Sequence, residues 1–491
     1  MLFNSVSYLI FLPLVFFSYW ALPGRWRPWL LLAASCYFYM AFVPYYILVL
    51  LFLITIDYFL AHAIERATGH VRRLYCISAI LSNLSLLFVF KYFNFFNENI
   101  TQLAQALHWN YSLEALSLLL PLGLSFHIFQ SLAYIIEVHK GRYSAEKRYF
   151  IYALYVMFFP QLVAGPIERP AHLLPQLHAV QTFDYGRVVS GLRLVAWGLF
   201  KKIAIANNLA LLVDFVYAQH ASLDASAVLI GVAAFSVQIY ADFSGYSDIA
   251  IGSARMLGIE LVQNFRQPYF ARSIAEFWRR WHISLSSWFR DYVYYPLQWK
   301  KKEWGVWWFY ACIIFTFMLT GLWHGAGWSF VIMGLLYGAY IVAGLATHNV
   351  RGRAVRLLRL DRAPKLHHVL QSLFVFGLVG IANIFFRVQD TAQAFEILRS
   401  LVFGWGSSAF SFLFCNNYCA FYSLGIGRRD LLLVFVSTAF LLAVDYFIFT
   451  EARLPKLFFR RPVRWACYYA FALWFLAVGY FAPETFIYFQ F

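Results

Sequence analysis

The chain has 491 residues, of which 62% are hydrophobic and only 13% are charged. A soluble domain is roughly half apolar and roughly a quarter charged, so this composition excludes a single water-soluble core and indicates a protein that crosses a membrane several times. The formal net charge is +16. Because the basic residues gather in short connections between apolar runs, this charge indicates membrane orientation and anionic lipid rather than nucleic-acid binding.

Apolar runs recur along the whole chain. A spanning helix needs about 20 apolar residues, and backbone in lipid must satisfy its own hydrogen bonds, so these continuous runs predict helices. They lie at roughly 5–22, 28–43, 45–62, 74–93, 112–136, 149–165, 188–217, 226–256, 306–347, 368–386, 430–449 and 464–483. We therefore predict an all-α polytopic membrane protein, one domain over residues 1–491, with about 11 to 13 helical passes and some re-entrant pieces.

The first run and the cysteines bear on processing and on metal binding. Ser5–Leu22 has no basic region before it and no small-residue cleavage site after it, so it is predicted to be a retained helix and not a signal peptide. Of the six cysteines, only Cys415 and Cys419 are close together, in CNNYC, and this pair lacks the further ligands of a zinc site. A structural disulfide or a metal site there is the less favoured interpretation.

Lysine and arginine counts predict the orientation of the chain. Basic residues gather in the connections at 62–73, 139–148, 300–305, 348–368 and 451–464. Segment 94–110 contains no lysine or arginine. Placing the basic connections in the cytoplasm puts 94–110 outside, and three passes before residue 62 place the N-terminus outside as well.

The proline-rich stretch 158–177, FFPQLVAGPIERPAHLLPQL, interrupts the helical pattern. Its prolines are Pro160, Pro166, Pro170 and Pro175. Proline removes a helix hydrogen bond and clashes with the preceding turn, so a regular helix is not expected. Irregular backbone at membrane depth needs protein or water around it, so we predict a re-entrant loop or a cavity wall.

Polar side chains follow in QIYADFSGYSDIAIG. If the helix is unbroken, Gln238, Asp242 and Tyr246 succeed one another at i, i+4 and share one side, while Asp248 points elsewhere. Gly245 leaves that continuity open. Acidic residues inside an apolar run pair with a partner or line a cavity, so a structural polar network and a functional cavity are both open interpretations.

The segment 264–302 is basic, aromatic and amphipathic, which is typical of helices that lie at the cytoplasmic interface. His282 lies there in WRRWHIS, close behind Arg279 and Arg280. The two guanidinium groups suit an anionic acyl donor such as a phosphorylated cofactor. The alternative is an interfacial helix that binds anionic lipid headgroups.

The apolar run 306–347 is broken by His324, within LTGLWHGAGW. Basic segments flank the run on both sides, so the chain enters and leaves on the cytoplasmic side. His324 lies 18 residues after Val306, about 27 Å along a helix. We expect it deep in the membrane, near the far side of a hairpin or at a break between helices, where the glycines of the motif would let backbone or ligand approach closely.

An intramembrane histidine is a candidate functional residue because it is costly unless it faces the protein interior or a water-filled cavity. Near neutral pH an imidazole is the usual general base, and a hydroxyl that attacks a thioester needs such a base. A packed, hydrogen-bonded structural histidine is the alternative for His324. No P-loop, GxGxxG, HExxH or GxSxG motif is present, so the residues predict a polar cavity with His282 and His324 at different depths but name no substrate.

These segments resemble the membrane-bound O-acyltransferase (MBOAT) family, in particular the bacterial branch with the membrane subunits of alginate O-acetylation and teichoic-acid D-alanylation. The resemblance covers essentially the whole chain. It is carried by MLFNSVSYLIFLPLVFF, FFPQLVAGPIERP, QIYADFSGYSDIAIGSARMLGI, the block from NFRQPYF to YVYYPL, LTGLWHGAGW and the terminal FIYFQF.

The resemblance implies a ring of helices around a thin central core, in the bacterial cytoplasmic membrane, with a tunnel that joins a cytoplasmic donor to an outward-facing acceptor. The histidine matching His324 would be catalytic, and His282 would be a second family histidine, catalytic with it, on the donor side. The residues expected to line the donor side or the tunnel are Arg279, Arg280, Trp281, Trp323, Asp242, Gln238 and Tyr246.

The resemblance also implies acetyl-CoA as acyl donor, no metal, and a periplasmic or extracellular partner that completes transfer to a polysaccharide. After YVYYPL, however, QWKKKEWG departs from the glycine-rich continuation common in the polysaccharide O-acetylation subgroup. Two alternatives stay open. One is D-alanyl transfer from a carrier protein to teichoic acid; the other is a transporter or flippase whose arginines bind an anionic solute.

Overall fold

The structure of the chain is a computed structural model, which describes residues 1–111, 113–118, 120–163, 165–388, 390–405, 428–451, 460–481 and 486–487. These residues form helices and loops, without a β-strand among them, as the continuous apolar runs predict. The pair Cys415 and Cys419 lies outside the described residues, as does 488–491 of the terminal motif.

The helices follow the apolar runs closely, but several runs are divided. In chain order the α-helices are α1 (Val6–Ala21), α2 (Arg27–Met40), α3 (Tyr46–Arg66), α4 (Gly69–Leu87), α5 (Phe93–Ala106), α6 (Leu124–His139), α7 (Tyr149–Met157), α8 (Phe159–Leu162), α9 (Pro170–His178), α10 (Tyr185–Leu199), α11 (Asn207–Ala218), α12 (Ala225–Met256), α13 (Ile274–Arg280), α14 (Ile283–Phe289), α15 (Tyr295–Lys300), α16 (Gly305–His324), α17 (Trp328–Ala346), α18 (His348–Leu357), α19 (Pro364–Arg387), α20 (Thr391–Phe403), α21 (Arg428–Phe449) and α22 (Arg461–Val478). Short π-helical turns join α4 to α5 (Phe88–Tyr92), α10 to α11 (Phe200–Ala206) and α14 to α15 (Arg290–Tyr294).

Length and composition identify the membrane-spanning helices. Within the described part of the chain, seven helical segments are long and apolar enough to cross a membrane: Tyr46–Arg66, Gly69–Ala106, Ala225–Met256, Gly305–His324, Trp328–Ala346, Pro364–Arg387 and Leu431–Phe449. The apolar helix α1 is shorter, with 16 residues. An all-helical protein with many spans is thereby confirmed, while the figure of about 11 to 13 passes stays a prediction.

The central helix of the fold is α12. It has 32 residues, and its apolar window is 78% buried inside the protein, against 22–44% for the other spanning candidates. Gly245, which left the continuity of this helix open, lies within an unbroken α12. A Cβ on Gly245 would clash with the carbonyl oxygen of Gly198 in α10, and a Cβ on Gly198 would clash with that of Gly245. The two glycines therefore let the backbones of α10 and α12 pack closely.

Two lysines of the π-turn after α10 neutralise the acidic residues of α12. Lys202 Nζ lies 2.8 Å from Asp242 Oδ1, with both side chains 3% exposed, and Lys201 Nζ lies 2.7 Å from Asp248 Oδ2. The second oxygen of Asp242 accepts a hydrogen bond of 2.9 Å from the backbone N–H of Ile487. Pairing compensates each buried charge, so these groups form the structural polar network that the sequence left as one of two interpretations.

The proline-rich stretch 158–177 is not one regular helix, as predicted. It contains the single helical turn α8 and most of α9, which begins at Pro170, and the backbone at 165–169 between them is non-helical. Between them, the Ile167 N–H donates to Ser284 Oγ at 3.0 Å. The fully buried Glu168 lies 2.7 Å from His172 Nδ1 and accepts the Val262 N–H at 2.7 Å. Protein groups thus satisfy this non-helical backbone and enclose it.

Candidate active site

The two predicted catalytic histidines lie at the ends of a helical hairpin. After His282 the chain is helical over 283–300, through α14, a π-turn and α15, and α16 then runs from Gly305 to His324. At 1.5 Å per residue these arms are about 27 and 30 Å long. The π-turn and α15 pack against α16. Because the arms have nearly equal lengths and lie together, their far ends meet.

At that meeting point both imidazole rings contact the indole of Trp323. The ring centroid of Trp323 lies 4.9 Å from that of His324 and 5.9 Å from that of His282. His282 is 0% exposed and His324 is 5% exposed. The structure thus brings both rings to one indole, whereas the sequence predicts the two histidines at different depths. Charge counting assigns only the loops to one side of the membrane. It does not show that residues 283–300 lead from His282 to the loop before α16, or that α16 then returns from this loop to His324.

His282 occupies a strained and unpartnered position. Its backbone is left-handed, with φ 41° and ψ 55°, a conformation that residues other than glycine adopt rarely and often at functional sites. Its ring centroid lies 4.7 Å from that of Phe243 and 6.3 Å from that of Phe126. Neither of its ring nitrogens has a hydrogen-bond partner among the described residues. A fully buried polar group without a hydrogen-bond partner is rare. Such a group can form its hydrogen bonds with a ligand instead.

Asn264 and Ser284 hold the turn that carries His282. The backbone N–H and the hydroxyl of Ser284 donate to Asn264 Oδ1 at 3.2 and 2.7 Å, and the Ile283 N–H donates to the Asn264 carbonyl at 3.0 Å. The same Ser284 hydroxyl accepts the N–H of Ile167. Sequence reasoning overlooked Asn264 and Ser284. The available signal was their place at the start of NFRQPYF and directly after WHI.

A small cavity adjoins His324. Its volume is about 20 Å³, close to the space of one water molecule. Its lining comprises Ile239, Phe277, Trp278, Trp281, His324, Met333, Tyr337, Val379, Asn383 and Phe386. This cavity is too small for a substrate, so a substrate enters it only when some of these side chains move. Trp281 and Trp323, two of the predicted lining residues, do lie at the site.

The break after His324 also matches its prediction. α16 ends at His324, and α17 begins at Trp328. A Cβ on Gly321 would clash with the carbonyl oxygen of Phe330, so this glycine lets the two helices pack backbone to backbone. A Cβ on Gly325 would clash with the ring of Phe330. The glycines of LTGLWHGAGW therefore serve close packing around His324.

A second, larger cavity lies at the other end of α13. It has a volume of about 680 Å³ and is lined by Arg272, Ser273, Glu276, Arg351, Pro364, Lys365, His367, His368 and Gln371. Most of its cations come from the basic connection 348–368, which the charge distribution assigns to the cytoplasm. α13 has seven residues, so it spans only about 10 Å between this basic pocket and the cavity beside His324.

The predicted anion-binding arginines Arg279 and Arg280 do not line this basic pocket. Arg280 Nη2 lies 3.0 Å from Glu276 Oε1, and its guanidinium lies over the ring of Phe449, 4.9 Å from the centroid. Burial would raise the pKa of Glu276, but the hydrogen bond from Arg272 N–H and the charges of Arg280 and Arg272 lower it below its usual value. The ionised Glu276 neutralises Arg280, and the role of Arg279 and Arg280 in donor binding stays a prediction.

The three polar residues predicted on α12 are likewise absent from the lining of the cavity beside His324. Asp242 is paired with Lys202. Tyr246 is stacked between Phe3 and Phe486, at centroid distances of 5.0 and 4.3 Å. Gln238 is 8% exposed. All three side chains are buried, and their predicted role in lining the tunnel stays a prediction.

Comparison with known proteins agrees with the motifs. Residues 146–387, which contain both histidines, match the model of the MBOAT, membrane-bound O-acyltransferase, family. The chain is 35% identical over 437 residues to the peptidoglycan O-acetyltransferase of Helicobacter pylori, which covers 82% of this chain and 80% of that protein. It is 35% identical over 413 residues to the probable alginate O-acetylase of Azotobacter vinelandii (82% and 78%). It is 28% identical over 230 residues to the teichoic acid D-alanyltransferase of Bacillus subtilis (44% and 56%).

Proposed function

Because the chain belongs to the membrane-bound O-acyltransferase family, it is a membrane acyltransferase, and we propose that it transfers an acetyl group from cytoplasmic acetyl-CoA across the membrane, toward an exported polysaccharide or a periplasmic partner. The proposed location is the bacterial cytoplasmic membrane, with a periplasmic or extracellular partner that completes the transfer. Support for acetyl transfer comes from the two relatives that are 35% identical over 82% of the chain, both named for O-acetylation.

The observation that carries the proposal is the meeting of His282 and His324 on Trp323. Acyl transfer to a hydroxyl needs a base for the hydroxyl proton and a donor for the charge that develops on the carbonyl oxygen. Two adjacent imidazoles can supply both. The two nitrogens of His282, which lack partners among the described residues, are available for this use.

In the proposed reaction, His324 removes the proton of the acceptor hydroxyl while the hydroxyl oxygen attacks the thioester carbonyl carbon. The carbon–sulfur bond then breaks, and the proton passes from His324 to the leaving thiolate, which departs as coenzyme A. His282, as the neutral tautomer, donates a hydrogen bond to the oxygen that becomes negatively charged during the attack. Atoms and charge balance without a metal or an oxidant.

The basic pocket is the proposed binding site for the donor's phosphates. Arg272, Arg351 and Lys365 line it, and arginine and lysine bind phosphate through charge-assisted hydrogen bonds. The thioester arm would then follow α13 to the cavity beside His324. Because that cavity holds about one water, the arm must displace the aromatic side chains that close it.

The decisive experiment is His324→Gln in a strain that lacks the chromosomal copy. We expect the ester-linked acetate of the purified surface glycans to fall by about 10²-fold or more, because a general base is lost, while membrane insertion and the melting temperature stay unchanged. His70→Gln, which alters an exposed histidine, serves as the control and should acetylate normally. Wild-type acetylation by His324→Gln would refute the proposal. Loss of D-alanyl esters instead of acetate on deletion would assign the D-alanyl alternative.

The donor site has its own test. Arg351→Ala should raise the KM for acetyl-CoA by about tenfold, because a charge-assisted hydrogen bond is lost, and should leave kcat nearly unchanged. Arg353→Ala is the matched control, since Arg353 is exposed on the same helix but does not line the pocket. Equal effects of the two substitutions would count against the pocket.

A further inference from the structure

The end of α16 that carries His324 has no cap of its own. Gly325 follows in an extended conformation, with φ −159° and ψ 153°, so the chain does not turn back to satisfy the last carbonyls through a left-handed cap. The final carbonyl groups of a helix need donors from elsewhere, and an apolar interior or lipid supplies none. Something else in the molecule must hold this helix end.

The donors come from the π-turn between α4 and α5. Lys91 Nζ donates to the carbonyl oxygens of Trp323 and His324 at 2.7 and 2.9 Å. The hydroxyl of Tyr92 donates to the carbonyl of Leu322 at 2.9 Å. The end of a helix carries partial negative charge, which makes a cation the favoured group there. Three consecutive carbonyls are thus satisfied by two adjacent side chains.

Lys91, which is half-buried, differs from the two buried lysines Lys201 and Lys202. Lys201 and Lys202 each pair with an aspartate of α12. Among the described residues, Lys91 forms no ion pair with a carboxylate. A lysine inside an apolar spanning segment is energetically costly and marks a functional site. π-turns within helices are also frequent at functional sites. What compensates Lys91 is the backbone of the residues that form the candidate active site.

We propose that Lys91 is a positioning residue for acyl transfer, which locks the last turn of α16 and thereby sets the places of His324 and Trp323. Two bonds from one ammonium to consecutive carbonyls fix both the rotation and the axial position of that turn. Trp323 in turn contacts the ring of His282. Lys91 therefore influences the positions of both imidazoles. The inference rests on the proposed function, because its effect is read as acetyl transfer.

The test compares Lys91→Met with Tyr92→Phe. Lys91→Met keeps an unbranched side chain of similar length but removes the donors and the charge. We expect kcat to fall by about 10²-fold, the loss that a misplacement of about 1 Å can cause, with the KM for acetyl-CoA unchanged. Tyr92→Phe removes one neutral bond to Leu322 and should lower kcat far less. Lys91→Arg, which restores a cationic donor, should recover most of the activity.

A coupling experiment separates positioning from folding. Lys91→Gln retains one donor and serves if Lys91→Met does not fold. In a His324→Gln background, Lys91→Gln should cause no further loss of the residual activity, because the residue that Lys91 positions is already gone. Additive losses, an unchanged kcat in Lys91→Met, or a loss that only follows the amount of folded protein would each overturn the inference. If the wild-type protein itself transfers no acetyl group, the proposed function fails and this inference with it; if the wild type is active and Lys91→Met equally so, only the inference on Lys91 fails.

Discussion

The polar face of α12 and the end of α16 are both buried, yet they treat their polar groups in opposite ways. On α12, Asp242 has Lys202 at 2.8 Å and the N–H of Ile487 at 2.9 Å. At the end of α16, the backbone carbonyls are satisfied by Lys91. The neighbouring His282, however, has no partner for either ring nitrogen among the described residues.

This difference separates buried polar groups that stabilise the fold from those that are available to a substrate. A buried charge that is fully paired holds helices in register and leaves nothing for a substrate. A buried imidazole without a partner lowers stability in the free protein and gains its partner when a ligand arrives. The backbone strain at His282 also indicates a functional position. Such strain persists only where the surrounding structure enforces it, and it is frequent at active sites. Substitutions in the paired network of α12 should therefore change stability, whereas substitutions at His282 should change acetyl transfer.

The largest effect is expected on the architectural side. Lys202→Met removes one partner of a buried ion pair and leaves the Asp242 charge uncompensated, which should lower the free energy of unfolding by about 3–5 kcal/mol. The melting temperature of the purified protein in detergent measures the loss. Adding Asp242→Leu should recover part of it, because the unpaired charge is removed. If Lys202→Met melts like the wild type, the paired network does not hold the fold.

His282→Asn tests the other side of the comparison. Asparagine tolerates the left-handed backbone of this position, so the fold should be retained, with a melting temperature equal to or slightly above that of the wild type. Acetyl transfer should fall by about 10²-fold, the usual contribution of a group that acts on protons in the reaction. A variant that is unstable but, when folded, fully active would place His282 among the architectural residues instead.

Gly321→Ala addresses the close contact between α16 and α17. The added Cβ would clash with the carbonyl of Phe330, so the helices must separate, and we expect the free energy of unfolding to fall by about 1–3 kcal/mol. Gly344→Ala, with open space around its Cβ, is the matched control. It should stabilise the protein by about 0.5–1 kcal/mol, because alanine favours the helix. Equal melting temperatures for the two variants would contradict the close packing.

The smallest effect concerns His172, which lies outside the membrane-spanning segments. Its hydrogen bond with the Glu168 carboxylate raises its pKa above the usual value of about 6.5, against the opposing effect of burial. The stabilisation is therefore fully present below the unfolded pKa and is lost as the pH rises through the folded pKa. His172→Gln should melt below the wild type near pH 6 and converge with it at higher pH. Because the imidazole is partly exposed, the difference should stay below about 1 kcal/mol. A difference that grows with pH would contradict this assignment.

The sequence determined the helical, membrane-spanning nature of the protein, because composition and run length are local properties that lipid translates directly into helices. It also indicated the break after His324 and the interruption of helix within 158–177, since glycine and proline act on their own backbone. The resemblance to the family could be recognised from the sequence because each of its motifs is a continuous segment.

Only the tertiary structure decided which polar groups meet. Lys91 reaches a helix end 232 residues away along the chain, and His282 and His324 share Trp323 because two helical arms of similar length lie side by side. Counting charges in loops placed the histidines apart, and proximity along the chain to His282 suggested Arg279 and Arg280, which do not line the basic pocket. Such pairings depend on how helices pack, and packing joins residues that no local pattern relates.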